Sequence, residues 1–184
     1  MRRFLLLSVV FCIGTLALHA VPDPRVLIRT LNKTFTQLRD YSAKVHMQFD
    51  IPGVNMAPMD GNVYYKQPNH FRIKTRGIFF MPRQNPMARI GAMLKDTTAY
   101  TPLFSETETI QGKKCAVINI IPNNSKDEWV LGKFWIQLEQ PCILKTQITT
   151  RNYGTIETES FYTGSPGYNL PDQLILRIEA RKIR

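Results

Sequence analysis

Two periods of apolar and polar residues divide this chain. Leu27, Leu31, Phe35 and Leu38 recur at four, four and three residues, while Arg25, Arg29, Lys33 and Arg39 lie mostly off that stripe. The spacing predicts an amphipathic helix of about 16 residues. Asp23 is placed to cap it and Pro24 fits its first turn. From Ala43 the period changes to two. Ala43, Val45, Met47, Phe49 and Ile51 alternate with Lys44, His46, Gln48 and Asp50, which predicts a strand with one dry and one wet face. Asn62 to Lys66 and His70 to Arg76 read as two more strands, separated by Pro68-Asn69. Residues 77–104 break the alternation. Within them, Asn85-Pro86 starts a short helix whose apolar stripe is Met87, Ile90, Met93 and Leu94. Strands follow at roughly 108–111, 114–121, 132–139, 143–151, 154–162 and 173–183, joined by turn residues such as Gln140-Pro141 and Asn152-Tyr153-Gly154.

No strand–helix–strand alternation appears, and no internal repeat. The expected class is α+β and mainly antiparallel. One long curved sheet should form an open half-barrel, with the N-terminal helix and the short internal helix on its concave face.

The first twenty residues read differently. Met1-Arg2-Arg3 is positive and Phe4 to Leu18 carries no charge. That run is shorter than the roughly 20 apolar residues that span a bilayer. It fits a secretory signal peptide over residues 1–20, cleaved after Ala20 or, less well placed, after Ala17. Residues 21–184 would then be a single exported domain.

Composition narrows the function. The chain has 184 residues, 43% of them hydrophobic and 21% charged, which are ordinary globular values. Twenty-four Lys and Arg against fourteen Asp and Glu give a formal charge of +10. Three His and three Cys leave little for metal or nucleophile chemistry. Zinc-protease, serine-hydrolase, phosphate-loop and dinucleotide motifs are all absent. His46 and His70 sit on polar strand positions without a spaced partner. Asp127-Glu128 and Glu157/Glu159 are expected to be solvated. No enzyme, cofactor or metal site is expected.

Lys66, Arg72, Lys74 and Arg76 cluster on the second and third strands, with Arg83 and Arg89 following. Their neighbouring aromatics alternate to the other face, so the interleaving of a nucleic-acid platform is missing. The cluster reads either as a solvated face or as one attracted to an anionic envelope surface. Met56, Met59, Met81, Met87 and Met93 lie in segments that would cover the sheet, where flexible side chains suit an adaptable apolar cavity. Cys115 and Cys142 would be the only cysteines left after export. A disulfide between them is the expectation, with two buried thiols as the alternative.

Tyr64-Tyr65-Lys66-Gln67-Pro68-Asn69-His70-Phe71, following an amphipathic helix at the right distance, resembles the periplasmic lipoprotein carrier (LolA) superfamily, which reads aromatic-x-Lys-Arg-Pro-Asn-x-Phe there. Asn85-Pro86-Met87 through Leu94 looks like that family's internal lid helix. Gly112 to Val117 and Phe134-Trp135-Ile136 look like its lipoprotein-sorting branch. The resemblance covers most of residues 24–183. It implies a non-enzymatic periplasmic carrier, monomeric, that holds acyl chains of lipoproteins or lipids for transfer to the outer membrane. Inner- and outer-membrane delivery partners are implied, and nucleic acid is not. A sensor module of the same fold is the alternative.

The implied cavity wall is Leu31, Phe35, Leu38, Met47, Phe49, Tyr65, Phe71, Met87, Ile90 and Met93. Gln67 and Pro68 occupy the lid-controlling motif position. Gln67 departs from the family pattern, because an amide replaces the guanidinium fork that ties the lid to the sheet. The family's Trp-rich hairpin between third strand and lid helix has no room in Gly77 to Gln84.

Overall fold

The computed structural model describes residues 21–48, 57–67, 70–75, 86–152, 154–163 and 170–179. Residues 1–20, Phe49, Met56, Pro68 and Met81 lie outside the described residues, and of Met87 only the backbone is described.

Helix α1 runs Pro24–Gln37. The Asp23 side chain accepts a hydrogen bond from the Arg25 amide at 2.8 Å, capping the first turn as the residue type allows. The apolar stripe is wider than the sequence reading. Ile28 and Leu31 are fully buried, whereas Leu27 and Phe35 are partly so. Strands β1 (Asp40–Met47), β2 (Met59–Lys66) and β3 (His70–Thr75) form an antiparallel sheet in that order. Helix α2 runs Pro86–Lys95.

Strands β4 (Tyr100–Ile110), β5 (Lys113–Pro122), β6 (Trp129–Gln137), β7 (Ile143–Thr150), β8 (Gly154–Phe161) and β9 (Gln173–Glu179) form a six-stranded antiparallel meander. The single long sheet expected from sequence is, among the described residues, two sheets: no ladder joins β3 to β4. Strand β4 also begins earlier than its alternation predicts. A register shift between Phe104 and Glu106 interrupts the period of two and hides its first half. The β4–β5 hairpin turns through Gln111 and Gly112, whose φ angles are 53° and 72°. Both central residues are left-handed, as a two-residue turn matched to strand twist requires.

The two helices cover one face of the six-stranded sheet, here called its inner face. Ile28 and Leu31 from α1, and Ile90 and Leu94 from α2, meet Tyr100, Ile118, Ile120, Phe134, Ile136 and Ile143 in one buried cluster. The helices approach closely at Gly91, where a Cβ would stand 3.4 Å from the Phe35 ring. The C-terminal end of α2 is tied down twice. The Leu94 carbonyl accepts from the Asn32 side chain at 2.7 Å and from the Tyr100 hydroxyl at 2.8 Å. Helix-end carbonyls lack intrahelical donors, so this buried end needs such partners. On the outer face, Cys115, Val117, Trp135, Cys142 and Leu144 form a second cluster.

Candidate functional site

The implied wall residues separate into two groups. Leu31 and Ile90 are 0% and 2% exposed and belong to the packed core under the helices, with Phe35 against it. Met93 and Leu38 are half-buried. Met47, Tyr65 and Phe71 lie instead on one face of the three-stranded sheet. There the register aligns Tyr41 with Tyr65 and Tyr65 with Phe71, and Ala43 with Val63 and Val63 with Ile73. Tyr41 and Tyr65 stack tilted, with ring centroids 5.4 Å apart. Met47 and Val63 are buried, while Tyr41, Tyr65, Phe71 and Ile73 remain only half-covered.

A cleft of about 90 Å³ beside the start of α1, lined by Arg25, Ile28, Arg29, Thr97, Tyr100 and Pro102, is far below the roughly 300–1,000 Å³ of small-molecule sites.

The sequence reading missed an apolar surface farther along the chain. Two rows of the inner face continue from the core to the edge strand. One aligns Ile120, Gly132, Ile148, Ile156 and Ile178 across β5 to β9; the other aligns Ile118, Phe134, Thr146, Thr158 and Leu176. Buried at β5, the rows emerge at β9, where Leu176 is 39% and Ile178 61% exposed. The buried hydroxyls of Thr146 and Thr158 satisfy each other at 2.7 Å, so the second row carries no unpaired polar group there. The signal was present in the alternation of Leu174, Leu176 and Ile178. A period of two says which residues share a face but not which face is covered.

Gln67 contacts α1 rather than α2. Its side-chain amide donates to the carbonyls of Leu38 at 2.7 Å and Thr36 at 3.1 Å, and its backbone amide donates to the Arg39 carbonyl at 2.8 Å. The β2–β3 turn thus ties down the C-terminal end of α1.

The outer face of the six-stranded sheet carries charges, but they neutralise one another. Glu157 meets Lys145 at 3.0 Å, Arg177 at 3.2 Å and the Gln147 amide at 2.7 Å, and Arg177 also reaches Glu159 at 2.8 Å. Glu157 and Glu159, expected to be solvated, are therefore paired, because Lys145, Gln147 and Arg177 occupy facing register positions. The Gln147 hydrogen bond, helped by Lys145 and Arg177, holds the Glu157 carboxyl below its ordinary range. Hydrogen bonds from Thr98 and from Thr163 likewise lower Asp96 and Asp172. A general acid at neutral pH needs the opposite shift. Among the described residues, no group of His, Cys, Asp or Glu side chains is gathered to hold a metal ion.

Cys115 and Cys142 are both buried free thiols, not a bridged pair. Cys115 aligns with Gln137 on β6, whose amide donates to the Cys142 carbonyl on the far side. The cysteines thus flank a strand. At about 4.8 Å per strand their Cα atoms stand nearly 10 Å apart, beyond the roughly 7 Å that a disulfide tolerates.

No family profile matches the chain, and no curated protein is similar to it by sequence. Solved structures are similar in shape. A LolA superfamily protein from Nitrosomonas europaea superposes with a TM-score of 0.54 at 10% identity, covering 86% of this chain and 87% of the other. An outer membrane lipoprotein-sorting protein domain from Vibrio parahaemolyticus gives 0.49 at 12% identity, covering 84% and 85%. The chain has a LolA-like fold. The open, mainly antiparallel architecture with two short helices is thereby borne out. No helix among the described residues of this LolA-like chain is long and apolar enough to cross a membrane.

Proposed function

We propose that this protein is an exported, non-enzymatic carrier that holds acyl chains of lipoproteins or lipids in transit to the outer membrane. The observation that carries this reading is the pair of apolar rows that run from the buried core to exposed Leu176 and Ile178. A LolA-like open sheet has no need to expose its inner face unless something covers it. Because the helices pack over the core end of the inner face, the acyl chain lies along the uncovered end, over β8 and β9, and the half-covered Tyr65 and Phe71 offer a second apolar face on β1 to β3. Each buried methylene gains about 0.8 kcal/mol, so ten of them give about 8 kcal/mol before ordering costs. No bond is made or broken. Release takes an acceptor in the outer membrane, and loading a donor in the inner membrane.

The test is binding of a fluorescent fatty-acid probe, together with native mass spectrometry of protein taken from its own envelope. The wild type binds the probe, and Ile178→Asp or Phe71→Asp weakens binding at least tenfold. Absence of any acylated ligand in both measurements rejects the carrier reading.

A further inference from the structure

The outer faces of the two sheets treat their cations differently. On the six-stranded sheet, Lys133 lies 3.8 Å from both Glu106 and Glu108, and Lys145 and Arg177 are held by Glu157 and Glu159. On the three-stranded sheet, Lys44, Lys66, Arg72 and Lys74 all point to one exposed face, and none is in an ion pair among the described residues. The register aligns Lys44 with Asn62 and Asn62 with Lys74, and Tyr64 with Arg72. Two carboxylates share this face. Asp60 is engaged by His46 at 2.8 Å, and Asp40 aligns with Lys66 at the edge. Tyr64 stands among the cations, 42% exposed, with the Lys74 ammonium 5.5 Å from its ring centre.

We infer that this face of the β1–β3 sheet docks the protein on an anionic membrane surface. Four cations spread over three strands at strand spacing form a broad positive plane without a pocket. Anionic lipid headgroups are a mobile array that rearranges under such a plane. A protein partner would instead need a desolvated, charge-poor centre with buried aromatic anchors, and this face offers only Tyr64. The Tyr64 ring has the mixed character that favours the headgroup layer, with an apolar body and a polar tip. The inference goes beyond the carrier reading and does not depend on it: a protein that holds no acyl chain could dock in this way.

The experiment is co-sedimentation of the purified protein with vesicles, either phosphatidylcholine alone or phosphatidylcholine containing one-third phosphatidylglycerol. Binding is expected only to the anionic vesicles and should fall as salt rises, since exposed charges are screened. Each cation near the surface contributes roughly a fivefold factor in partitioning. Arg72→Gln with Lys74→Gln should therefore lower anionic-vesicle binding about 25-fold. Lys114→Gln with Lys126→Gln, which changes net charge equally on exposed positions elsewhere, should leave it nearly unchanged. If the first pair unfolds the sheet, as circular dichroism would show, Lys44→Gln with Lys66→Gln makes the same test from β1 and β2. Equal binding to both vesicle types overturns the inference. So does equal loss in the two charge-matched pairs, or capture of an acidic protein by this face while vesicle binding is unaffected by Arg72 and Lys74. The fatty-acid probe, measured on the same variants, should bind as in the wild type, which separates failure of docking from failure of the carrier reading.

Discussion

Gln67 and Leu38 are joined by a 2.7 Å hydrogen bond from the Gln67 side-chain amide to the Leu38 carbonyl, and Leu38 is the C-cap of α1. The bond links the end of the helix to the turn after β2. With the second bond, to Thr36, it supplies donors to carbonyls that the helix itself leaves unpaired. Gln67→Ala is expected to cost about 1 kcal/mol, since both bonds are exposed to water. For a chain of this size that lowers the melting temperature by about 2–4 °C. Gln67→Arg retains donors and should melt close to the wild type. A thermal shift series on the two variants checks this, and an alanine variant as stable as the wild type would show that the tie is ornamental.

Ile90 and Ile178 share an apolar character but not an environment. Ile90 is 2% exposed beneath the helices and Ile178 61% exposed on the edge strand. Ile90→Asp buries an uncompensated charge and should destabilise the fold by about 3 kcal/mol or more. Ile178→Asp should change stability by less than about 0.5 kcal/mol. Chemical denaturation of the two variants measures the contrast. A mild effect at Ile90 would mean that the helix-covered space opens readily and belongs to the cavity after all.

Cys142 is buried, and burial pushes its thiol up to about 11; Cys115 is shifted in the same direction for the same reason. Both stay protonated at neutral pH and should be unreactive in the folded protein. Alkylation under native conditions should modify neither. Alkylation after unfolding without reductant should modify both, whereas a bridged pair would give no modification in either case.

The Tyr100 hydroxyl that donates to Leu94 has its pKa raised to about 12, by burial and then by the negative charge of Asp96. The unfolded chain loses this proton near pH 10 while the native chain keeps it, so the unfolded state binds fewer protons in that window. Stability from this group is complete below pH 10 and is lost as pH rises from 10 to about 12. Tyr100→Phe should be less stable at pH 8 by about 1 kcal/mol. Its difference from the wild type should shrink as pH climbs through that window. Denaturant midpoints of the two proteins, measured in parallel at each pH, isolate this group from the lysines that titrate nearby.

What the amino-acid order determined by itself was local. A cap at Asp23, a 3.6-residue stripe and a switch to period two are properties of neighbouring residues, and they marked both helices and nearly every strand. They also carried the Tyr64–Phe71 motif and through it the LolA-like fold. Where the local signal was broken, by the irregularity between Phe104 and Glu106, the first half of β4 went unread. Facts that depend on pairs far apart in the chain were decided only by tertiary structure. Register, not spacing, put Gln137 between the two cysteines and gave Glu157 and Glu159 their cations. Helix packing, not hydrophobicity, sealed Leu31 and Ile90 while leaving Leu176 and Ile178 open. An apolar residue gains by burial against any apolar surface, so its identity sets its preference, and the placement of the helices across the sheet sets which residues are left to meet a ligand.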